Sequence, residues 1–247
     1  MKILVIDIGG THVKVLASGQ KIHREFVSGK GLTPQRVVSE VRKLVAVADW
    51  EYEVISIGYP GPVIDDRPVL EPWNLGKGWA GFDFKKALKC PVKVINDAAM
   101  QALGGYSRGK MLFLGLGTGL GSAFIAEGQV LPMELAHLPY KKSTFEDYVG
   151  LRGLEKYGKK KWRKLVADVA ARLIAALEPD EVVLGGGNVR LLKKLPPLCR
   201  AGKNDNAFLG GFRLWSPGKD FRGAQTPTVH DRKKIIVQHK NKVTSRS

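Results

Sequence analysis

Cysteine is scarce: the 247 residues include only two, Cys90 and Cys199. Two thiols cannot build a four-cysteine zinc site, and this density excludes a disulfide framework. Both are expected as free thiols in a reducing compartment. Long apolar runs are also missing. No stretch approaches the ~20 residues that a membrane-spanning helix requires. The first apolar run follows Lys2 and ends at Asp7, which is too short for a secretory signal. The expectation is a cytoplasmic chain without a membrane partner. Acidic residues are outnumbered, with 23 Asp and Glu against 40 Lys and Arg, a net charge of +17. This balance favours a polyanionic partner or substrate, and plain solubility satisfies it equally well. No Gly-Lys-Ser/Thr opens a helix, so a Walker phosphate loop is excluded.

What is present is dominated by two glycine-rich turns, each joining apolar strand-like runs. The first spans Ile3 to Val15 and turns at Gly9-Gly10-Thr11; the second spans Leu112 to Ala123 and turns at Gly117-Thr118-Gly119. β-formers flank residues that tolerate positive φ, so each reads as strand, tight turn, strand. Between them the chain alternates. A third strand fits within residues 17–29, and Thr33-Pro34 opens a helix running to about Ala48. A buried strand covers 54–58, a long loop 65–82 and a short helix 84–88. A strand over 92–95 delivers Asn96-Asp97, and the helix after it is expected to break at Gly104-Gly105. A helix covers 160–177, a strand at 182–184 runs into Gly185-Gly186-Gly187, and 207–215 is a short apolar helix. Strands alternating with helices make the class α/β, and a turn recurring some 108 residues on suits two related halves facing one cleft. Residues 216–247 hold eight Lys or Arg against two Asp and read as an appended basic tail.

The turns suggest phosphate chemistry, because side-chain-free backbone lets N–H groups approach a phosphate closely. Asp7 beside the first turn is placed to hold Mg²⁺ directly or through water. Thr11 and the turn amides would grip a phosphoryl group, and Lys14 adds a cation. Asp97 at a strand end suits a carboxylate that orients and deprotonates an attacking hydroxyl; an Asn-Asp pair equally suits a helix cap. Glu134 and His137 are spaced to hydrogen-bond sugar hydroxyls or to form a surface pair. Lys141, Lys142, Lys159, Lys160, Lys161, Arg163 and Lys164 form either a basic track for a long polyanion or a solvated helix face.

In order, these pieces resemble the ROK sugar kinases of the actin/hexokinase superfamily. The resemblance covers residues 2–215 and rests on Asp-Ile-Gly-Gly-Thr (7–11), Gly-Tyr-Pro-Gly-Pro-Val (58–63), Asn74-Leu75 with Trp79, Asn-Asp-Ala (96–98), Gly-Thr-Gly-Leu-Gly (117–121), Glu-x-x-His (134–137) and Leu-Gly-Gly-Gly-Asn (184–188). It implies a two-lobed, ribonuclease H-like fold. A small N-terminal lobe would span 1–110, rejoined by 204–215, and a large C-terminal lobe would span 111–203. It implies a glucokinase of the polyphosphate/ATP branch, a homodimer, with Asp97 as general base on the 6-hydroxyl of glucose or a related hexose. Asn96, Glu134, His137 and Glu146 would bind the sugar. Gly9, Gly10, Thr11, Gly117, Thr118 and Gly119 would bind phosphates, with Gly186, Gly187 and Asn188 bordering the donor, ATP or polyphosphate. The family's zinc-binding cysteines are absent, so no zinc is expected, and Ala136 replaces a glycine of the family signature. The same family contains non-catalytic sugar sensors and DNA-binding regulators. No helix-turn-helix module precedes the first strand here, so specific nucleic-acid binding is not expected.

Overall fold

The computed structural model describes residues 1–203 and 205–216; the basic tail beyond Ser216 lies outside the described residues. β1 (Ile3–Ile8) and β2 (His12–Ala17) form the expected hairpin, and β3 (Arg24–Val27) adds antiparallel to β2. α1 (Pro34–Ala48) begins where the Thr33 side chain accepts the Arg36 N–H, and ends where Asp49 turns left-handed. β4 (Val54–Tyr59) follows, then a ribbon of β5 (Val63–Ile64) and β6 (Arg67–Pro68), α2 (Phe84–Leu88), β7 (Val92–Asn96) and α3 (Asp97–Gly105). β4 lies parallel to β1, and β7 parallel to β4, giving the sheet order β3-β2-β1-β4-β7.

The second half repeats this plan. β8 (Met111–Leu116), β9 (Leu120–Ala126) and β10 (Gln129–Met133) form an antiparallel meander. A short ribbon of β11 (Pro139–Tyr140) and β12 (Ser143–Thr144), α4 (Phe145–Val149) and α5 (Leu151–Leu177) lead to β13 (Glu181–Gly185), which lies parallel to β8. β14 (Cys199–Ala201) completes the order β10-β9-β8-β13-β14, and α6 (Asn206–Arg213) ends the described chain. α5 is interrupted at Gly158, whose φ of 68° and ψ of 161° are not helical.

Period-2 alternation sorts the strands onto three cores. Leu4, Ile6 and Ile8 face α1 and α2, whereas Ile3 and Val5 face the layer of α3 and α6. Likewise Met111 and Phe113 join that central layer, and Leu112, Leu114 and Leu116 face α5. α3 and α6 therefore lie between the sheets. The helix ends at Gly104-Gly105, as expected, and the two glycines form its last turn, against α6. A Cβ on Gly104 would stand 1.8 Å from Asn206 O, and one on Gly210 would stand 1.8 Å from Met100 O. Only glycine permits this approach of two backbones. Arg213 fastens the pair by donating to Leu103 O and Tyr106 O, and the buried Ser56 hydroxyl donates to Gly211 O.

The long loop after β6 is pinned by one carboxylate. Glu71 accepts the N–H groups of Gly78, Trp79 and Ala80, and the buried Trp79 indole donates to Leu32 O.

Candidate active site

Asp7 lies one residue before the end of β1, on the face shared with Ile3 and Val5, toward the central layer. In register, Asp7 pairs with Gly58, Gly58 with Ile95, and Tyr59 with Asn96. Asp7 and the start of α3 are thus two strands apart, about 10 Å along the sheet, with a glycine between them. A Cβ on Gly58 would come within 3.3 Å of Asp7 Oδ1, so this glycine keeps the space beside the carboxylate open.

Asn96 and Asp97 sit at the strand-to-helix junction. Asn96 is the N-cap of α3: its Oδ1 accepts the Ala99 N–H and its Nδ2 donates to Gly61 O. Asp97 Oδ1 accepts the Ala98 N–H at 2.8 Å. Burial pushes the Asp97 carboxyl up to about 7, helped by the negative charges of Asp7 and Glu134 and opposed by that N–H. Burial raises Asp7 to about 6, with the Lys14 ammonium pulling the other way. Lys14 stands directly across the hairpin from Asp7. The structure therefore gathers Asp7, Lys14, Asp97 and Glu134 into one electrostatic group.

Glu134 opens a 3-10 turn, Leu135–His137, and His137 Nε2 lies 3.5 Å from Glu134 Oε2. Ser122 holds this turn: its hydroxyl donates to Met133 O and accepts the Leu135 N–H.

The first glycine turn closes with the Gly9 N–H on His12 O, and Ser28 clamps it by donating from its hydroxyl to Gly9 O and from its N–H to Thr11 O. The N–H groups of Gly10 and Thr11 have no acceptor among the described residues, so they are available to an anion. Asn74 lies over this turn, 3.8 Å from where a Gly10 Cβ would be. In the second turn the Gly117 N–H bonds to Gly119 O, Asn188 Nδ2 donates to Gly117 O and the Leu151 N–H to Thr118 O. Gly186, at φ 83°, packs against Leu116 where a Cβ would reach within 2.5 Å of its carbonyl. Gly187 opens the 3-10 turn that carries Asn188.

Glu146 belongs to this second turn. Its Oε2 accepts the Leu120 N–H at 3.2 Å, and Arg152 lies 3.5 Å from its other oxygen. Ser28, Ser122 and Arg152 support the site without any sequence signal that distinguishes them, whereas Gly61 lies in the Gly-Tyr-Pro-Gly-Pro-Val motif. Asn74 also had a signal, in the Asn-Leu step before Trp79. Among the described residues no group of three or more His, Cys, Asp or Glu is arranged to hold a metal, and no helix is long and apolar enough to cross a membrane.

The chain is 29% identical over 214 residues to a polyphosphate glucokinase of Mycobacterium tuberculosis, covering 78% of this chain and 80% of that protein. Its fold matches the inorganic polyphosphate/ATP-glucomannokinase of Arthrobacter sp. strain KM with a TM-score of 0.73 at 24% identity, over 85% of this chain and 96% of that one. It also matches a ROK family transcriptional regulator, a homologue of the E. coli MLC protein, with a TM-score of 0.69 at 15% identity, over 86% of this chain and 77% of that one. The architecture is α/β, as the alternation of strands and helices predicts, with the actin/hexokinase-like fold that the resemblance implies. Residues 3–132, more than half of the sequence, match the ROK family, and the chain belongs to it.

Proposed function

We propose that this chain is a hexose kinase, a glucokinase, transferring a phosphoryl group from polyphosphate or ATP to the sugar 6-hydroxyl. The observation that carries the reading is the environment of Asp97. A half-buried carboxyl raised to about 7 is matched to accept a proton near neutral pH. It stands beside a second carboxylate, Asp7, and the two phosphate-sized turns lie at the ends of β1 and β8.

The roles follow from position. Asp97 takes the hydroxyl proton as the hydroxyl attacks the terminal phosphorus. Asn96 fixes Asp97 by capping α3, and its remaining amide hydrogen faces the sugar. Glu134 and His137 bind sugar hydroxyls, with Glu146 serving the sugar once it leaves the Leu120 N–H. Gly10 and Thr11 N–H groups receive phosphate oxygens, and Gly117, Thr118 and Gly119 cradle the donor, bordered by Gly186, Gly187 and Asn188. Asp7 fits Mg²⁺: its half-buried charge has Lys14 as its near cation, and Mg²⁺ binds through one or two carboxylates plus substrate phosphates. When bound, the ion would neutralise charge on the transferred group. The two sheets with their helices act as lobes, the first rejoined by α6, and closure over the cleft excludes water.

The polyphosphate glucokinase named above supports the enzyme class and donor. The regulator shares only the fold, and a non-catalytic sensor has no need of the raised Asp97 carboxyl. The test is Asp97→Ala assayed with glucose and Mg²⁺ against both donors. Turnover is expected to vanish while glucose affinity stays within a few fold; near-normal turnover would remove Asp97 from its role.

A further inference from the structure

Outside the cleft, the first turns of α5 carry the densest positive charge in the described chain. Residues 151–164 contain seven Lys or Arg and one acid, Glu155. The structure orders part of this charge around aromatic rings. Tyr148 and Tyr157 stack at 5.3 Å with planes 7° apart. Lys141 Nζ lies 5.9 Å from the Tyr148 ring, and Lys156 and Lys161 lie 5.6 and 4.7 Å from the Tyr157 ring. All three lysines are exposed, and none is ion-paired among the described residues.

This face is continuous with the second glycine turn. The Leu151 N–H bonds to Thr118 O, and the next residue, Arg152, pairs with Glu146 and with Asp147 at 2.9 Å. Beyond Arg152 the helix presents Lys156, and the left-handed Gly158 then redirects the backbone before Lys161. Both lysines thereby meet the same ring, Tyr157.

We propose that Lys141, Lys156 and Lys161, held around Tyr148 and Tyr157, form a track for a long inorganic polyphosphate whose reacting end lies at the glycine turns. The proposal rests on the reading of the chain as a kinase that uses a polyphosphate donor. Cation–ring contacts seat the ammonium groups of these exposed lysines over the rings and restrict their positions, which lowers the ordering cost of binding a polyanion. The same contacts disfavour nucleic acid. A single strand is held by bases stacking on open aromatic faces, whereas here the two rings stack on each other and lysines lie against them. Arg163, one of the cations the sequence offers for a track or a solvated face, is instead tied by its Nε to Leu191 O.

The experiment compares the wild type with the triple variant Lys141→Gln, Lys156→Gln, Lys161→Gln, and with a charge-matched control at Lys85, Lys86 and Lys89 on and beside α2. KM is measured for long-chain polyphosphate, tripolyphosphate and ATP. The track variant is expected to raise the long-chain KM about tenfold, the sum of three modest exposed charge contacts. It is also expected to flatten the salt dependence of that KM while leaving kcat and both short donors unchanged. An unchanged long-chain KM, or an equal rise for all three donors, would overturn the track. Direct titration with long-chain polyphosphate, followed by electrophoretic mobility, decides the same point without turnover. Binding of single-stranded RNA that is as tight, and lost in the same variant, would also overturn it. A wild type that phosphorylates no hexose with any donor would instead sink the kinase reading, and the titration would still decide the track.

Discussion

Asp97→Asn is expected to make the free protein more stable at pH 8 while abolishing turnover. The folded carboxyl is raised from its ordinary 3.8 to about 7. At 1.36 kcal/mol per pKa unit this corresponds to ~4 kcal/mol. Asp97 keeps part of its surface exposed and shares its repulsion with Asp7, so ~2–4 kcal/mol is the working range. The sign follows from proton binding. Below pH ~4 the carboxyl is protonated in both states and contributes nothing. Between pH ~4 and ~7 the folded state holds a proton that the unfolded state has released, so stability falls as pH rises. Above pH ~7 the full penalty applies. Asparagine cannot ionise, yet it keeps an oxygen for the Ala98 N–H, so it removes the penalty and little else. Urea denaturation at pH 8 should show the variant more stable by ~2–4 kcal/mol, or roughly 5–15 °C in Tm. At pH 4 the difference should shrink below ~1 kcal/mol. An equal difference at both pH values, or a variant less stable at pH 8, would refute the reasoning. The first outcome would point to packing, and the second to an undetected favourable partner of the charged form.

Three further outcomes follow from the same structure. The kcat/KM for hexose should fall on the acid side with an apparent pKa near 7. Glu134→Gln should move that midpoint to lower pH, because one of the charges raising Asp97 is gone; the midpoint is the readout, and an unmoved one counts against the coupling. Gly210→Ala should cost above ~3 kcal/mol or prevent folding, since its methyl would meet Met100 O at 1.8 Å and backbone cannot rotate away; thermal denaturation checks this. Glu71→Ala should cost ~2–3 kcal/mol by removing the charged acceptor of the Gly78, Trp79 and Ala80 N–H groups, and a red shift of tryptophan emission would report exposure of Trp79.

Much of the fold is legible because its signals are local. The near-continuous apolar runs Ile3–Ile8 and Met111–Leu116 identify strands buried on both faces, and Thr33-Pro34 marks a helix start with its cap. Gly104-Gly105 is legible only in part: the helix does end there, but the packing that requires them is not local. Read locally, two glycines end a helix; their actual role depends on Gly210-Gly211, over 100 residues later, and on two backbones meeting where no side chain fits. That meaning is a property of a pair, and neither member displays it alone.

The candidate site divides along the same line. Asp7, Asp97 and the glycines stand out because their residue types do chemistry that few others do. What holds them is mostly backbone, and backbone is silent in a sequence. Ser28 clamps the first turn through Gly9 O and Thr11 O, Ser122 anchors the turn after Glu134 through Met133 O, and Gly61 receives the Asn96 amide through its carbonyl. Asn96 shows the consequence most directly. The helix-cap and active-site readings of the Asn-Asp pair compete on paper, but the geometry makes the first a condition of the second. By capping α3, Asn96 fixes the turn on which Asp97 is carried. It also keeps the Ala98 N–H within 2.8 Å of the Asp97 carboxyl, the larger of the two backbone hydrogen bonds that oppose the rise of its pKa. Loss of the cap therefore acts on the base as well as on the helix, and an Asn96→Ala variant should raise the acid-limb midpoint even where glucose affinity survives.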